Sequence, residues 1–94
     1  MNSYEVMFIV DPDMGEEAVS ATVEKFKNMI EQKATLDSFA EWGKRRLAYL
    51  INDKSEGYYV LATMTADPAF PAELERVFKI TDGIMRYLVL RKEG

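Results

Sequence analysis

The chain reads as an α+β domain, one four-stranded antiparallel sheet with two helices packed on a single face. Three observations predict it. Apolar residues alternate with a period of two in several short segments, as strands lining a core require. Two further segments carry apolar residues at spacings of three and four, the mark of an amphipathic helix. Turn formers and prolines separate these segments in the order βαββαβ.

Tyr4 to Val10 is the first expected strand. Tyr4, Val6, Phe8 and Val10 alternate with Glu5, Met7 and Ile9, and both sets are largely apolar, which suits a central strand. Asp11-Pro12-Asp13 ends it, because proline has no N–H to give a ladder. Asp13 is a candidate helix cap, with Glu16 and Glu17 in the first turn, where the helix dipole is positive. Val19, Val23, Phe26 and Ile30 fall on one stripe, so the first helix is expected over 14–33.

A second strand region runs from Leu36 through Phe39 and Trp42 to Ile51, with Gly43 as a bulge or bend. Asn52-Asp53-Lys54-Ser55-Glu56-Gly57 is rich in turn formers and reads as a hairpin connection. The third strand, Tyr58 to Thr65, is dense in aromatic and β-branched residues. Asp67-Pro68-Ala69-Phe70-Pro71 opens the second helix, with Pro71 suited to its first turn. Leu74, Val77 and Phe78 form its apolar stripe, and Gly83 fits a left-handed stop. Ile84 to Arg91 is the last strand.

Two strand-helix-strand halves with right-handed crossovers interleave into the ferredoxin-like plan. The expected core contains Val6, Phe8, Val23, Phe26, Ile30, Leu74 and Phe78. The second face of the sheet then has no helix over it. With Tyr4, Val6, Phe8 and Val10 turned to the helices, Met7, Ile9, Tyr59, Leu61, Leu88 and Leu90 line that open face by alternation. An exposed apolar sheet face marks a partner site, so these six are the candidate partner-binding residues. An inverted phase in some strands is the alternative.

Ninety-four residues make a single domain, 1–94, with no room for a second core. An apolar share of 48% argues against disorder. No apolar run approaches the roughly 20 residues of a membrane helix, and the N-terminus lacks the features of a signal peptide, so a cytoplasmic protein is expected. The net charge of −4 argues against a free-standing, non-specific nucleic-acid binder, which is normally basic. Charge is nonetheless uneven. Acids concentrate between Asp11 and Glu31, while Lys44-Arg45-Arg46 and the stretch from Arg86 to Lys92 are cationic.

Enzymatic equipment is thin. Histidine and cysteine are absent, which removes the commonest general base, the best nucleophile and the usual zinc ligands. No glycine-rich phosphate loop is present. Asp11, Asp13, Glu16 and Glu17 lack a calcium-loop spacing, and helix capping accounts for them. No catalytic residue, metal site, cofactor or small-molecule substrate is expected. The lone Trp42, next to a glycine, reads as a packing residue covering a bend, and Tyr49 as a ring buried with its hydroxyl at the rim.

Lys44-Arg45-Arg46 has two readings: a solvated charged face, or contact with phosphate, whose oxygens guanidinium groups match bidentately. Its setting decides between them. Trp42-Gly43-Lys44-Arg45-Arg46-Leu47-Ala48-Tyr49 resembles the signature of the bacterial small-subunit ribosomal protein S-six family: a glycine, two or three basic residues, then Leu-Ala-Tyr-Pro-Ile. Leu50 stands where that family usually carries proline. Tyr4 to Val10, Gly57-Tyr58-Tyr59 and the Arg86-containing last strand extend the resemblance over nearly the whole chain. It implies a non-catalytic constituent of the small ribosomal subunit that binds central-domain small-subunit rRNA together with ribosomal protein S-eighteen. Under it, Lys44, Arg45, Arg46, Arg86, Arg91 and Lys92 are the candidate RNA-binding residues. A basic residue familiar near the family's N-terminus is replaced here by Asn2 or Ser3. The alternative is a ferredoxin-like regulatory or RNA-recognition module acting outside the ribosome. Glu56 to Leu61 is similar in position to the aromatic third strand of RNA-recognition domains, but Glu56, Tyr59 and Val60 depart from that motif.

Overall fold

The computed structural model of the chain describes residues 1–51 and 53–92. Asn52, part of the expected hairpin turn, lies outside the described residues. The elements are β1 (Asn2–Val10), α1 (Glu16–Lys33), β2 (Thr35–Ile51), β3 (Lys54–Ala66), α2 (Phe70–Ile80) and β4 (Ile84–Arg91). The sheet order is β2-β3-β1-β4 with every pair antiparallel, so β1 and β3 are central and β2 and β4 form the edges. This is the expected ferredoxin-like arrangement.

The start of α1 differs from expectation. Pro12–Met14 form a separate 3-10 turn, and its cap is Asp11, whose Oδ1 accepts from the Asp13 N–H at 3.0 Å. Proline favours the first position of such a turn, so the aspartate before it does the capping and not the one after it. α1 then begins afresh at Glu16, two residues later than expected. The second helix ends at Ile80, and Gly83 adopts its left-handed φ of +88° two residues beyond the cap Thr81.

The core lies between the helices and one sheet face. Tyr4, Val6, Phe8 and Val10 of β1 and Val60, Ala62, Met64 and Ala66 of β3 meet Val19, Val23, Phe26 and Ile30 of α1. Phe70, Leu74 and Phe78 of α2 complete it. At its centre the Phe26 and Phe78 rings stack at 4.2 Å, and Phe8 tilts against them at 5.4 and 5.1 Å. Every residue expected in the core is buried there, because a period of two in the strands and a stripe in each helix leave one way to close the layer.

β2 is the longest strand, and its pairing with β3 is irregular. The register slips between Leu36 and Ser38, between Glu41 and Gly43, and again beyond Arg46. The middle slip is a bulge with Trp42 as the extra residue, and Gly43 takes the φ of +80° that the bend needs and that side chains disfavour. The last slip leaves residues 47–50 without cross-strand partners before pairing resumes at Ile51, opposite Lys54.

Candidate interaction face

Cross-strand pairing maps the open face in rows. Leu90, Glu5, Thr63 and Ser38 form one row, Leu88, Met7, Leu61 and Ala40 the next, and Arg86, Ile9, Tyr59 and Gly43 the third. The middle row is apolar across all four strands. Leu88 and Leu90 are 45% and 50% exposed, while Met7, Tyr59 and Leu61 are half-buried. Five of the six candidate partner-binding residues therefore lie on this face with surface to offer.

Ile9 shares the face but not the exposure. It is 3% exposed, set among Leu47, Gly57 and Met85. The unpaired stretch 47–50 of β2 supplies Leu47, which lies beside Gly57 and Ile9 at the third row, and Tyr49 beyond it. The Arg86 guanidinium on β4 donates from Nη1 to the Tyr49 hydroxyl at 2.7 Å and sits 5.7 Å from its ring centre. One end of the open face is thus roofed by the chain itself. The other two rows are not.

Gly57 makes this roof possible. A β-carbon there would collide with Ile9 Cγ2 and approach Leu47 Cδ2 at 3.4 Å. The missing side chain is a steric requirement of the open face rather than of a turn.

The six candidate cations do not form one patch. Arg45 pairs with Gly57 and shares the open face with Arg86. Lys44, opposite Tyr58, lies on the helix side, in a cleft with Pro12, Glu16, Val19, Ser20 and Glu41. Arg46 is opposite Glu56. Arg91 pairs with Tyr4 at the far end of the sheet, reaching Asn2 Oδ1 at 3.4 Å, and the Lys92 N–H donates to the Ser3 carbonyl at 2.8 Å. Strand alternation dispersed a run that was contiguous in sequence. Among the described residues none of the six forms an ion pair; Glu41 instead accepts from the Tyr58 hydroxyl at 2.9 Å. Burial first, and that bond second, push the Tyr58 hydroxyl above its usual pKa.

The ion pairs that do form near the hairpin join it to the turn after β1. Lys54 Nζ lies 2.6 Å from Asp13 Oδ2 and 3.7 Å from Asp11 Oδ2. The Lys54 hydrogen bond and charge hold the Asp13 carboxyl below the usual aspartate value, and Lys54 is raised in turn. Among the described residues no three or more carboxylates are placed to hold a metal ion, and no helix is long and apolar enough to cross a membrane.

Two expectations about the aromatics are corrected. Trp42 does not cover the bend: it is 53% exposed, because the bulge lifts it out of the ladder. Tyr49 is 62% exposed and not buried with its hydroxyl at the rim; its hydroxyl is engaged by Arg86. Nothing in the local sequence marks the Leu47 roof, the Tyr49–Arg86 bond or the Lys54 pairs, which join residues far apart along the chain.

Comparison with known proteins gives a consistent result. The family model described as Ribosomal protein S6 matches residues 3–91. A small ribosomal subunit protein bS6 from Thermoanaerobacter pseudethanolicus is 52% identical over 94 residues, covering 99% of both chains. One from Clostridium novyi is 50% identical with the same coverage. A crystal structure of 30S ribosomal protein S6 from Thermotoga maritima superposes with a TM-score of 0.91 at 32% identity, covering 97% of this chain and 87% of that one.

Proposed function

The chain belongs to the ribosomal protein S6 family, and from that membership we propose that it binds central-domain small-subunit rRNA as a pair with ribosomal protein S-eighteen. As a family member it is a structural constituent of the small ribosomal subunit in the cytoplasm and not an enzyme. The pairing is the step proposed.

One observation carries it: an apolar row, Leu88, Met7, Leu61 and Ala40, crosses a helix-free sheet face in a chain of net charge −4. The charge repels a polyanion at long range, and dispersed cations do not offset that over a large footprint. A small basic partner seated on the apolar row removes the repulsion and covers the leucines. Met7, Tyr59, Leu61, Leu88 and Leu90 meet it directly, and Ile9 supports the row from beneath Leu47. The cations that meet phosphate are then drawn from Lys44, Arg45, Arg46, Arg86, Arg91 and Lys92. Their three separate locations predict a footprint that wraps edges rather than one that lies flat.

The test is a titration of a central-domain rRNA fragment with this chain, with the basic partner, and with both together. Strong cooperativity is expected, with a coupling of about 1–3 kcal/mol. Equal affinity for the lone chain and the pair would reject the pairing. Neutralising a cation that touches phosphate flattens the dependence of log affinity on log salt by about 1. An unchanged slope after replacing all six would leave them as solvated charges.

A further inference from the structure

We propose that Trp42 and Arg45 form a seat for one unpaired nucleotide, its base stacked on the indole and its phosphate held by the guanidinium. The inference rests on the reading that the chain meets RNA, and it names which kind of RNA this part of the surface takes. Trp42 is the extra residue of the β2 bulge, without a cross-strand partner, and 53% exposed. A large aromatic held out of a ladder in this way gains nothing for the core. The bulge also places it beside Arg45, whose Nε–H donates to the Trp42 carbonyl at 3.2 Å and whose guanidinium lies 6.0 Å from the ring centre. Backbone and side chain of Trp42 therefore both fix the cation.

The charge decides the occupant. Among the described residues no carboxylate lies within ion-pair distance of Arg45, nor of Arg86, which holds Tyr49 in a second cation–aromatic contact. Two guanidinium groups that rest on aromatic rings without an anion call for an anionic ligand with a flat apolar part. A nucleotide supplies both from one unit. A basic protein partner brings net positive charge to the same spot and is the poorer electrostatic match. A paired duplex does not fit, because its bases are already stacked and its deep groove is too narrow for side chains. The occupant is an unpaired base in a loop, bulge or end, with little dependence on which base it is.

Trp42 is the only tryptophan in the chain, so its own emission reports the contact. The partner-loaded protein is titrated with a central-domain rRNA fragment that keeps its unpaired loops, and with a fully paired duplex of equal length. The Trp42→Phe protein serves as the emission blank. The fragment is expected to quench Trp42 emission and the duplex to leave it unchanged. Trp42→Ala weakens fragment binding about 5- to 150-fold, without altering the salt slope. Trp42→Phe retains part of the affinity, and Arg45→Gln flattens the slope by about 1. Wild-type binding with silent emission and no effect of Trp42→Ala overturns the seat while leaving RNA binding intact. Emission that changes on adding the protein partner alone assigns Trp42 to the protein interface and overturns the seat as well. No binding of the fragment by the wild-type pair overturns both the seat and the reading beneath it.

Discussion

The Arg86 guanidinium donates to the Tyr49 hydroxyl at 2.7 Å, although their strands are the two opposite edges of the sheet. Side chains from β2 and β4 meet over the row that holds Ile9 and Tyr59. The open face is therefore divided. One end is closed by the chain's own residues, and the rest presents Leu88, Met7 and Leu61.

Tyr49→Phe removes that bond and leaves the ring. The site is exposed, so the change in global stability is expected to stay within about 0.5 kcal/mol. Local opening is another matter: amide exchange across 47–51 should accelerate several-fold by NMR or mass spectrometry. Exchange unchanged from wild type would mean that Leu47 and the Ile51–Lys54 pairing hold this stretch without the bond.

Phe26 is fully buried and stacks on Phe78, so Phe26→Ala is expected to cost about 3–5 kcal/mol in urea unfolding. Truncation removes apolar area and leaves a cavity beside the Phe8 and Phe78 rings. A loss below about 1 kcal/mol would contradict the packing described.

Gly57→Ala tests the steric limit under Leu47. The added methyl meets Ile9 Cγ2, and overpacking of this kind costs about 1–3 kcal/mol. Ile9→Ala opens a space in the same place, so the double variant should be more stable than the sum of the single losses predicts. Strict additivity would show that the two side chains do not compete for space.

The Lys54 pairs predict a window of pH. Asp13 titrates below its ordinary value when folded, so its contribution is present above the unfolded value, about 3.9, and is lost as pH falls through the folded one. Lys54 is raised, so its contribution is present below about 10.4 and lost as pH rises through the folded value. Both partners are exposed, and the effect is local rather than global. In Lys54→Met the Asp13 carboxyl titration, followed by NMR, should move up toward the ordinary value. The same midpoint with and without Lys54 would refute the pairing.

Much of the fold was legible because it rests on periodicity. Val19, Val23, Phe26 and Ile30 can share a core only as one face of a helix, and Tyr4, Val6, Phe8 and Val10 only as one face of a strand. The open sheet face was legible to the extent that it obeys the same alternation, as Met7, Leu61 and Leu88 do. It failed where pairing slips. Ile9 keeps the phase but loses its exposure to Leu47, which arrives from a stretch of β2 no longer in register. Trp42 looked like a packing residue because the bulge beside Gly43 was expected without its consequence, a side chain turned out of the layer. The Lys44-Arg45-Arg46 run, contiguous in sequence, lies on a strand, so Lys44 and Arg45 point to opposite faces.

The order β2-β3-β1-β4 also sets a sequence in time. The strand made first is central and pairs with the strand made last, so β1 keeps one flank unpaired through most of synthesis. Nearly the whole chain must be present before that closure, which makes it slow relative to the local β2–β3 hairpin. Arg86, Leu88 and Leu90 arrive only with β4. Without β4 the middle row lacks Leu88 and Tyr49 lacks its anchor Arg86. Arrival of β4 is thus the event that completes the apolar row across the open face and supplies the anchor for Tyr49.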